Sequence, residues 1–340
     1  MKTILKNKYI ILIPMLILNI ISLIYLKNTN YFTKQLIWII ISYLILFICT
    51  KIKYRKLLKY IKYLYLSCLI LLGFVLIFGR EINGAKAWLH IFGFSIQPSE
   101  ITKVILIIYL SYLTYKKKNF FLLLLITIIP SILTFLEPDT GAIIIYFIIL
   151  LSCLKFFKIK KKYLIISSII LILLLTSHIY LYITNKDILI KIYGTKLFYR
   201  IDRLISFQNQ DNIQTVHSLI SIGAHQLLYI PENHNDFIFA AIISKYNIFI
   251  TILTYSSLLI IIIYYIHNIT KKKNISNIFN FIILNMLTFQ IFYNILMNLS
   301  LLPIIGIPLP FLSYGGSYLI CLYILIGLSI NLNTNFNNKA

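Results

Sequence analysis

Long apolar stretches, separated by short polar segments, follow one another along almost the whole chain. A helix needs about 20 mainly apolar residues to cross the hydrocarbon core of a bilayer. We place membrane spans at residues 9–26, 35–50, 63–79, 99–115, 120–136, 141–157, 163–184, 246–267, 278–301 and 317–333. The pattern therefore predicts an all-α fold, a polytopic membrane helical bundle with about ten transmembrane helices.

The apolar stretch 237–267 is too long to be a single span. As one helix it would reach about 46 Å at 1.5 Å per residue, which exceeds the hydrocarbon core of about 30 Å. The polar residues Ser244, Lys245 and Asn247 interrupt it. We therefore predict a short outward or re-entrant piece over 237–245 and a membrane span that begins near Tyr246.

Charged residues are distributed unequally between the two sides that these spans define. The side of the N-terminus carries the lysine-rich segments 2–8, 51–62, 116–118, 155–162 and 271–273, and it has no acidic residue. Short loops rich in Lys and Arg remain in the cytoplasm, so we predict that both termini are cytoplasmic. All nine acidic residues then face outward: Glu81, Glu100, Glu137, Asp139, Asp187, Asp202, Asp211, Glu232 and Asp236.

The composition agrees with one integral membrane domain over residues 1–340. A hydrophobic fraction of 60% and a mean hydropathy of +0.88 exclude an ordinary soluble domain. The net charge of +23 lies in short cytoplasmic loops, so topology and anionic lipid explain it better than nucleic-acid binding. The four cysteines fall inside spans, which predicts buried thiols and no disulfide framework.

Three outward segments are longer than simple turns: 80–98, 185–236 and 302–316. Segment 185–236 forms a large extracytoplasmic loop before the eighth helix, and a loop of this length is usually functional. Segment 302–316 is uncharged and rich in Pro and Gly. Irregular backbone at membrane depth occurs only where it is buried in protein or lines a wet cavity, so we expect this segment to border such a cavity.

Glu232, His234 and Asp236 form the densest cluster of reactive groups, directly before an apolar segment. Asp236 has two interpretations, as the N-cap of the following helix or as a general base. Histidine near acids can also bind a metal, but one histidine with scattered carboxylates is a weak pattern for that. No metal site is predicted from these residues.

Further polar residues suit either structure or substrate binding. Glu100 and Lys103 are three residues apart, on one face of a predicted helix. Such a pair inside a span either fixes helix packing or serves function. Asp139 follows a proline and is expected to cap a helix.

Arg200 and Arg203 share a helix face within the large outer loop. An arginine fork suits a pyrophosphate or a carboxylate. Internal ion pairs with Asp202 or Asp211 are an equally good interpretation.

Several of these segments together resemble signatures of the SEDS family (shape, elongation, division and sporulation proteins). The resemblance covers nearly the whole chain and rests on five elements: Asn83-Gly84-Ala85 with Trp88 and Gln97 to Lys103; Pro138-Asp139-Thr140-Gly141; Tyr199 to Phe207; Pro231 to Phe239; and Asn294 with 302–317.

The resemblance implies a peptidoglycan glycosyltransferase of the bacterial cytoplasmic membrane that polymerises lipid II and works with a class B penicillin-binding protein. Asp236 matches the family's essential aspartate, which would deprotonate the acceptor sugar as undecaprenyl pyrophosphate leaves. The expected substrate-binding residues are Lys86, Glu100, Lys103, Asp139, Arg200, Arg203, Glu232, His234 and Ser313. Basic members of this set would face the leaving pyrophosphate. A divalent cation, Mg²⁺ or Mn²⁺, is compatible with this chemistry, but no pattern specifies one.

The chain departs from the family pattern at several points. The outer loop is shortened between Gly223 and Pro231, Asn235 replaces the usual threonine, and Ser244-Lys245 stands where acidic residues are usual. Two alternatives therefore stay open: a lipid II flippase or other transporter, and a non-catalytic scaffold for a class B penicillin-binding protein. The sequence also leaves elongation (RodA-like) and division (FtsW-like) roles open.

Overall fold

The computed structural model describes residues 9–82, 85–91, 94–157, 184–185, 191, 213–226, 228, 230–270 and 274–337. These residues contain eleven helices and three short strands. In chain order they are α1 (Leu12–Leu26), α2 (Phe32–Lys51), α3 (Tyr54–Phe78), β1 (Arg80–Ile82), β2 (Ala85–Ile91), β3 (Phe94–Ile96), α4 (Pro98–Tyr115), α5 (Phe120–Leu136), α6 (Thr140–Leu154), α7 (Ile213–Ala224), α8 (Ile238–Lys245), α9 (Ile248–Asn268), α10 (Ile275–Asn298) and α11 (Gly316–Asn337).

The helices form the multi-pass bundle that the sequence predicts. In the described part of the chain, five are long and apolar enough to cross a membrane: α2, α3, α9, α10 and most of α11. Three shorter apolar helices, α1, α5 and α6, accompany them. The predicted span 163–184 lies outside the described residues except for its last position.

Helices α4 and α11 lie at the centre of the bundle, as the burial of nearly all residues of α4 and of most of residues 316–334 of α11 shows. Helix α11 packs closely along α2. A Cβ at Gly316 would stand 2.0 Å from the ring of Trp38, and one at Gly327 would stand 2.7 Å from the Leu46 carbonyl. Only glycine therefore permits this separation between the two helices.

The predicted break in the stretch 237–267 is confirmed. Helix α8 ends at Lys245, and α9 begins at Ile248 after an extended Tyr246. The side chain of Asn247 accepts a hydrogen bond from the Ile250 amide at 3.4 Å and caps α9. Helix α3 begins at Tyr54, nine residues before the predicted span 63–79. The basic segment 54–62 is compatible with helix, so it extends the helix beyond the membrane towards water.

Segment 80–96 contains a small antiparallel sheet, of order β1-β2-β3, that the sequence analysis did not predict. In β2, Ala87 and Leu89 are buried while His90 is exposed, as the alternation of a strand requires. The sheet leads into α4, which begins at Pro98. It therefore fixes where the N-terminal turn of α4 enters the bundle. The predicted turn residues Asn83 and Gly84 lie outside the described residues.

Candidate active site

A cavity of about 820 Å³ opens at the end of the bundle that holds the acidic residues. Its walls are formed by the small sheet, the first turns of α4 and α6, segment 230–237 and segment 302–315, with further residues from the turn before α2 and from α2, α7, α10 and α11. The polar residues among its lining are Ser95, Gln97, Glu100, Lys103, Asp139, Thr140, Gln214, Glu232, His234, Asn235, Asp236 and Gln290. The prediction that segment 302–316 borders a cavity is confirmed, because residues 304–308 and 314–316 line it.

Asp236 is held in this cavity by its main chain. Its carbonyl oxygen accepts hydrogen bonds from the side-chain amides of Asn294 at 2.9 Å and Asn298 at 3.0 Å. These two asparagines lie one turn apart on α10 and therefore face the same way. The N-cap interpretation of Asp236 is wrong, because Phe237 occupies the cap position of α8 and the side chain that bonds to its first turn is Asn298, whose Oδ1 accepts from the Ala240 amide at 3.1 Å. The Asp236 carboxylate is consequently not used in helix capping.

Segments 230–237 and 302–315 are bonded into one unit around Asp236. The Ser313 hydroxyl donates to the Asn235 carbonyl at 2.7 Å, and the Tyr314 amide donates to the His234 carbonyl at 2.9 Å. Asn294 also donates to the Ile307 carbonyl at 2.8 Å. These bonds satisfy backbone groups that would be costly to bury unpaired.

The environment of the Asp236 carboxyl favours its protonated form. Its pKa is raised to about 7, mainly by burial and in addition by the nearby charges of Glu232 and Asp139. On one side stands Gly306, with φ of +71°, where a Cβ would lie 3.8 Å from the Asp236 Oδ2 atom. Among the described residues, no group donates a hydrogen bond to this carboxyl group. Asp236 therefore meets the requirements of a general base that works near neutral pH.

Asp139 is confirmed as the N-cap of α6. Its Oδ1 accepts from the Ala142 amide at 3.1 Å, and its Oδ2 accepts from Gln97 at 2.8 Å and Ser99 at 2.9 Å. A carboxylate bonded in this way has its oxygens occupied and is a poor base for substrate. Its contribution to the cavity is a fixed negative charge close to Asp236.

Glu100 and Lys103 form the expected pair on one face of α4. The Lys103 ammonium lies 2.6 Å from Glu100 Oε1, and both side chains are less than 10% exposed, at 6% and 8%. Both residues line the cavity. The pair thus places a buried ion pair in the cavity wall, with the two charged groups as each other's partner.

His234 and Glu232 lie beside the mouth of the cavity. The Nε2 atom of His234 is 3.8 Å from a Glu232 oxygen. Burial lowers the pKa of His234, although Glu232 acts in the opposite direction, so the imidazole is neutral at neutral pH. The ring of His234 stacks on Tyr31, with centroids 4.2 Å apart and an interplanar angle of 12°.

The structure does not bring every predicted substrate-binding residue to the cavity. Lys86 lies on β2, and its ammonium donates to the Ile77 carbonyl at the end of α3, at 2.8 Å. Ser313 is fully buried behind the cavity wall, where it also accepts from the Leu309 amide at 2.8 Å. Arg200 and Arg203 lie outside the described residues. Within the described chain, no group of three His, Cys, Asp or Glu side chains could hold a metal ion.

Two residues that shape the site, Asn298 and Tyr31, were not predicted from the sequence. Asn298 could have been recognised, because a polar residue spaced four positions from Asn294 in an apolar helix is an unusual pattern. Tyr31 carries no such signal. It lies in the turn between α1 and α2, and only the tertiary fold brings it to His234.

The chain is similar in sequence to proteins of one family over nearly its whole length. Residues 4–338 match the family model of the FtsW, RodA and SpoVE type, described as a cell cycle protein. A probable peptidoglycan glycosyltransferase FtsW of Wigglesworthia glossinidia brevipalpis is 30% identical over 88% of this chain and 83% of the relative. One of the same description from Buchnera aphidicola subsp. Baizongia pistaciae is 31% identical over 91% of this chain and 86% of the relative.

Two solved structures share the fold. One is described as a peptidoglycan synthase complex that coordinates polymerisation and crosslinking. It aligns with a TM-score of 0.81 and 19% identity, over 96% of this chain and 97% of that chain. The other is the rod shape determining protein RodA of Thermus thermophilus, with a TM-score of 0.70 and 20% identity over 98% and 97%.

Proposed function

Because the chain belongs to the SEDS family of peptidoglycan glycosyltransferases, we propose that it polymerises lipid II with Asp236 as the general base. It is a multi-pass membrane protein of bacteria. The proposal rests on the environment of the Asp236 carboxyl group. This group lies in a large cavity lined by both polar and apolar residues, its pKa is raised to about 7, and it has no hydrogen-bond donor among the described residues.

In the proposed reaction, Asp236 takes the proton of the acceptor sugar's 4-hydroxyl group. The hydroxyl oxygen then forms a bond to the anomeric carbon of the lipid-linked donor. The bond from that carbon to the pyrophosphate oxygen breaks, and undecaprenyl pyrophosphate departs with the electron pair. Lys103, paired with Glu100, is the described Lys or Arg residue that lines the cavity, and it would stabilise the leaving phosphates.

The raised pKa of Asp236 predicts a pH dependence. A general base must be deprotonated, so kcat/KM should rise as pH increases through about 7 and level off above it. At one pH unit below the midpoint, the rate should be about a tenth of the plateau. Polymerisation of lipid II, measured in detergent from pH 5.5 to 8.5, tests this.

Glu232→Gln provides the control for that profile. It removes a negative charge that raises the pKa of Asp236, so the midpoint should move to lower pH. A rate that stays constant between pH 6 and 8 for the unmutated protein would argue against Asp236 as the base.

The described interior favours a polymerase over a transporter. Beyond the cavity, α4 and α10 contribute fully buried apolar side chains, among them Leu106, Leu110, Ile283 and Leu287. At the opposite end, Asn331 donates to the carbonyls of Cys49, Thr50 and Ile52 and ties α11 to the end of α2. A transporter would need polar groups that continue through the midplane.

A partner is part of the proposal. One structural relative is a synthase complex that couples polymerisation to crosslinking, and we place this chain in an equivalent pair with a class B penicillin-binding protein. The cell cycle description of the family and the FtsW relatives support a role in division. Purified protein, assayed on lipid II with and without the transpeptidase, tests both ideas. Failure to make glycan even with its partner would favour a scaffold.

The topology prediction places both termini in the cytoplasm. It can be tested with single cysteines at Lys117 and Asn30, in a background that lacks the four buried native cysteines. Both positions are exposed in turns at opposite ends of the bundle. We expect a membrane-impermeant maleimide, added to whole cells, to label Asn30→Cys and to leave Lys117→Cys unmodified. The reverse labelling pattern would show that both termini face outward.

A further inference from the structure

Three aromatic side chains from distant parts of the sequence meet at the mouth of the cavity. Tyr31 comes from the turn between α1 and α2, His234 from segment 230–237 and Tyr314 from segment 302–315, and all three line the cavity. The Tyr31 and His234 rings are stacked, and the Tyr31 and Tyr314 centroids are 4.8 Å apart with an angle of 53°. The three rings form a corner, which we call the aromatic platform.

The platform is rigid and accessible. The Tyr314 amide is bonded to the His234 carbonyl, and the Tyr31 amide donates to the Thr29 hydroxyl at 3.3 Å within its own turn. Tyr31 nevertheless remains 38% exposed. Tyr31 is therefore a partly exposed aromatic ring in the cavity wall, with an apolar body and a polar tip.

The position of the platform relative to Asp236 is constrained by the chain. His234 precedes Asp236 by two residues, so their Cα atoms are at most about 7 Å apart. That is about the span of one sugar residue. A saccharide with its terminal hydroxyl at Asp236 can therefore place the adjoining ring at the platform.

We propose that Tyr31, His234 and Tyr314 form a stacking subsite for the sugar ring next to the one whose hydroxyl Asp236 activates. A pyranose has an apolar face of C–H groups and an equatorial rim of hydroxyls, which matches flat aromatic rings with a carboxylate beside them. Glu232, 3.8 Å from His234, stands where it can accept from such hydroxyls. The neutral imidazole allows stacking without the desolvation of a charge. This inference rests on the proposed polymerase function for the identity of the saccharide.

The test uses a soluble glycan fragment of peptidoglycan, free of lipid and peptide, titrated into the purified full-length protein and followed by NMR. Tyr31→Ala should weaken binding about five- to tenfold and raise KM for lipid II by a similar factor, whereas Tyr31→Phe, which keeps the ring, should stay near wild type. Tyr63→Ala is the matched control, because Tyr63 is 71% exposed on α3 and does not line the cavity. Melting temperatures in detergent establish that each variant folds.

The outcomes separate this inference from the polymerase assignment. If Tyr31→Ala binds glycan and polymerises lipid II like wild type, the platform is not a saccharide subsite, and the polymerase assignment stands. If the unmutated protein makes no glycan with its partner yet binds the fragment in a Tyr31-dependent manner, the platform stands and the polymerase assignment fails. If the wild-type protein does not bind the fragment, the platform is not a saccharide subsite.

Discussion

Replacing Asp236 with asparagine should abolish glycan polymerisation while leaving the protein folded. Loss of a general base costs about 10²–10⁴-fold in rate. Asparagine has nearly the same shape, and the contacts that hold this residue use its main-chain carbonyl, bonded to Asn294 and Asn298. The substitution therefore removes the base without removing the support. Lipid II polymerisation by the purified protein with its partner measures the effect.

Glu232→Gln is the matched control, since it changes a neighbouring carboxylate in the same cavity in the same way. We expect it to retain far more activity, because a base must lie within hydrogen-bond reach of one particular hydroxyl. Asp236→Asn should keep lipid II binding, partner association and the wild-type melting temperature. Polymerisation by Asp236→Asn within a few-fold of wild type would remove the case for base catalysis at this residue.

The second large effect is expected at the Glu100–Lys103 pair. Lys103→Met leaves a buried carboxylate without its partner, which costs about 3–5 kcal/mol in comparable buried pairs. Glu100→Gln should be milder for folding, because the amide oxygen can still accept from Lys103 at the cavity wall. We expect Glu100→Gln to lower polymerisation more than it lowers the melting temperature.

The double variant Glu100→Gln with Lys103→Met separates structure from chemistry. Neutral replacement of both members of a buried ion pair is often harmless to stability. The double variant should therefore recover much of the melting temperature lost in Lys103→Met while its activity stays low. Recovery of both properties together would show that the pair serves only packing.

Features fixed by short-range sequence were predictable. The cap at Asp139, the Glu100–Lys103 pair and the break between α8 and α9 each depend on residues within a few positions of one another. The membrane spans follow from length and hydropathy alone. Local sequence was misleading at Asp236, which stands near the start of α8 without capping it.

Features that depend on tertiary contacts were not predictable. Asn298 reaches the Asp236 carbonyl across 62 residues of sequence, and Ser313 reaches the Asn235 carbonyl across 78. Nothing local distinguishes a serine that binds substrate from one that supports the backbone behind it. For the same reason, the sequence predicted that Lys86 binds the substrate phosphates. In the structure, its ammonium instead donates to the Ile77 carbonyl at the end of α3.

Glycine is scarce in this chain, with 11 among 340 residues, about half its usual share of about 7%. Four of the eight described glycines would bring a Cβ within 3.0 Å of another atom: Gly79, Gly141, Gly316 and Gly327. At Gly141 the obstacle is the Ile305 carbonyl of the opposite cavity wall, at 2.7 Å. In sequences with a strong bias towards Ile, Lys and Asn, most positions give little guidance for alignment. The glycines at which a Cβ would collide with a neighbour can then anchor a sequence alignment with very divergent relatives, because no other residue fits at those positions.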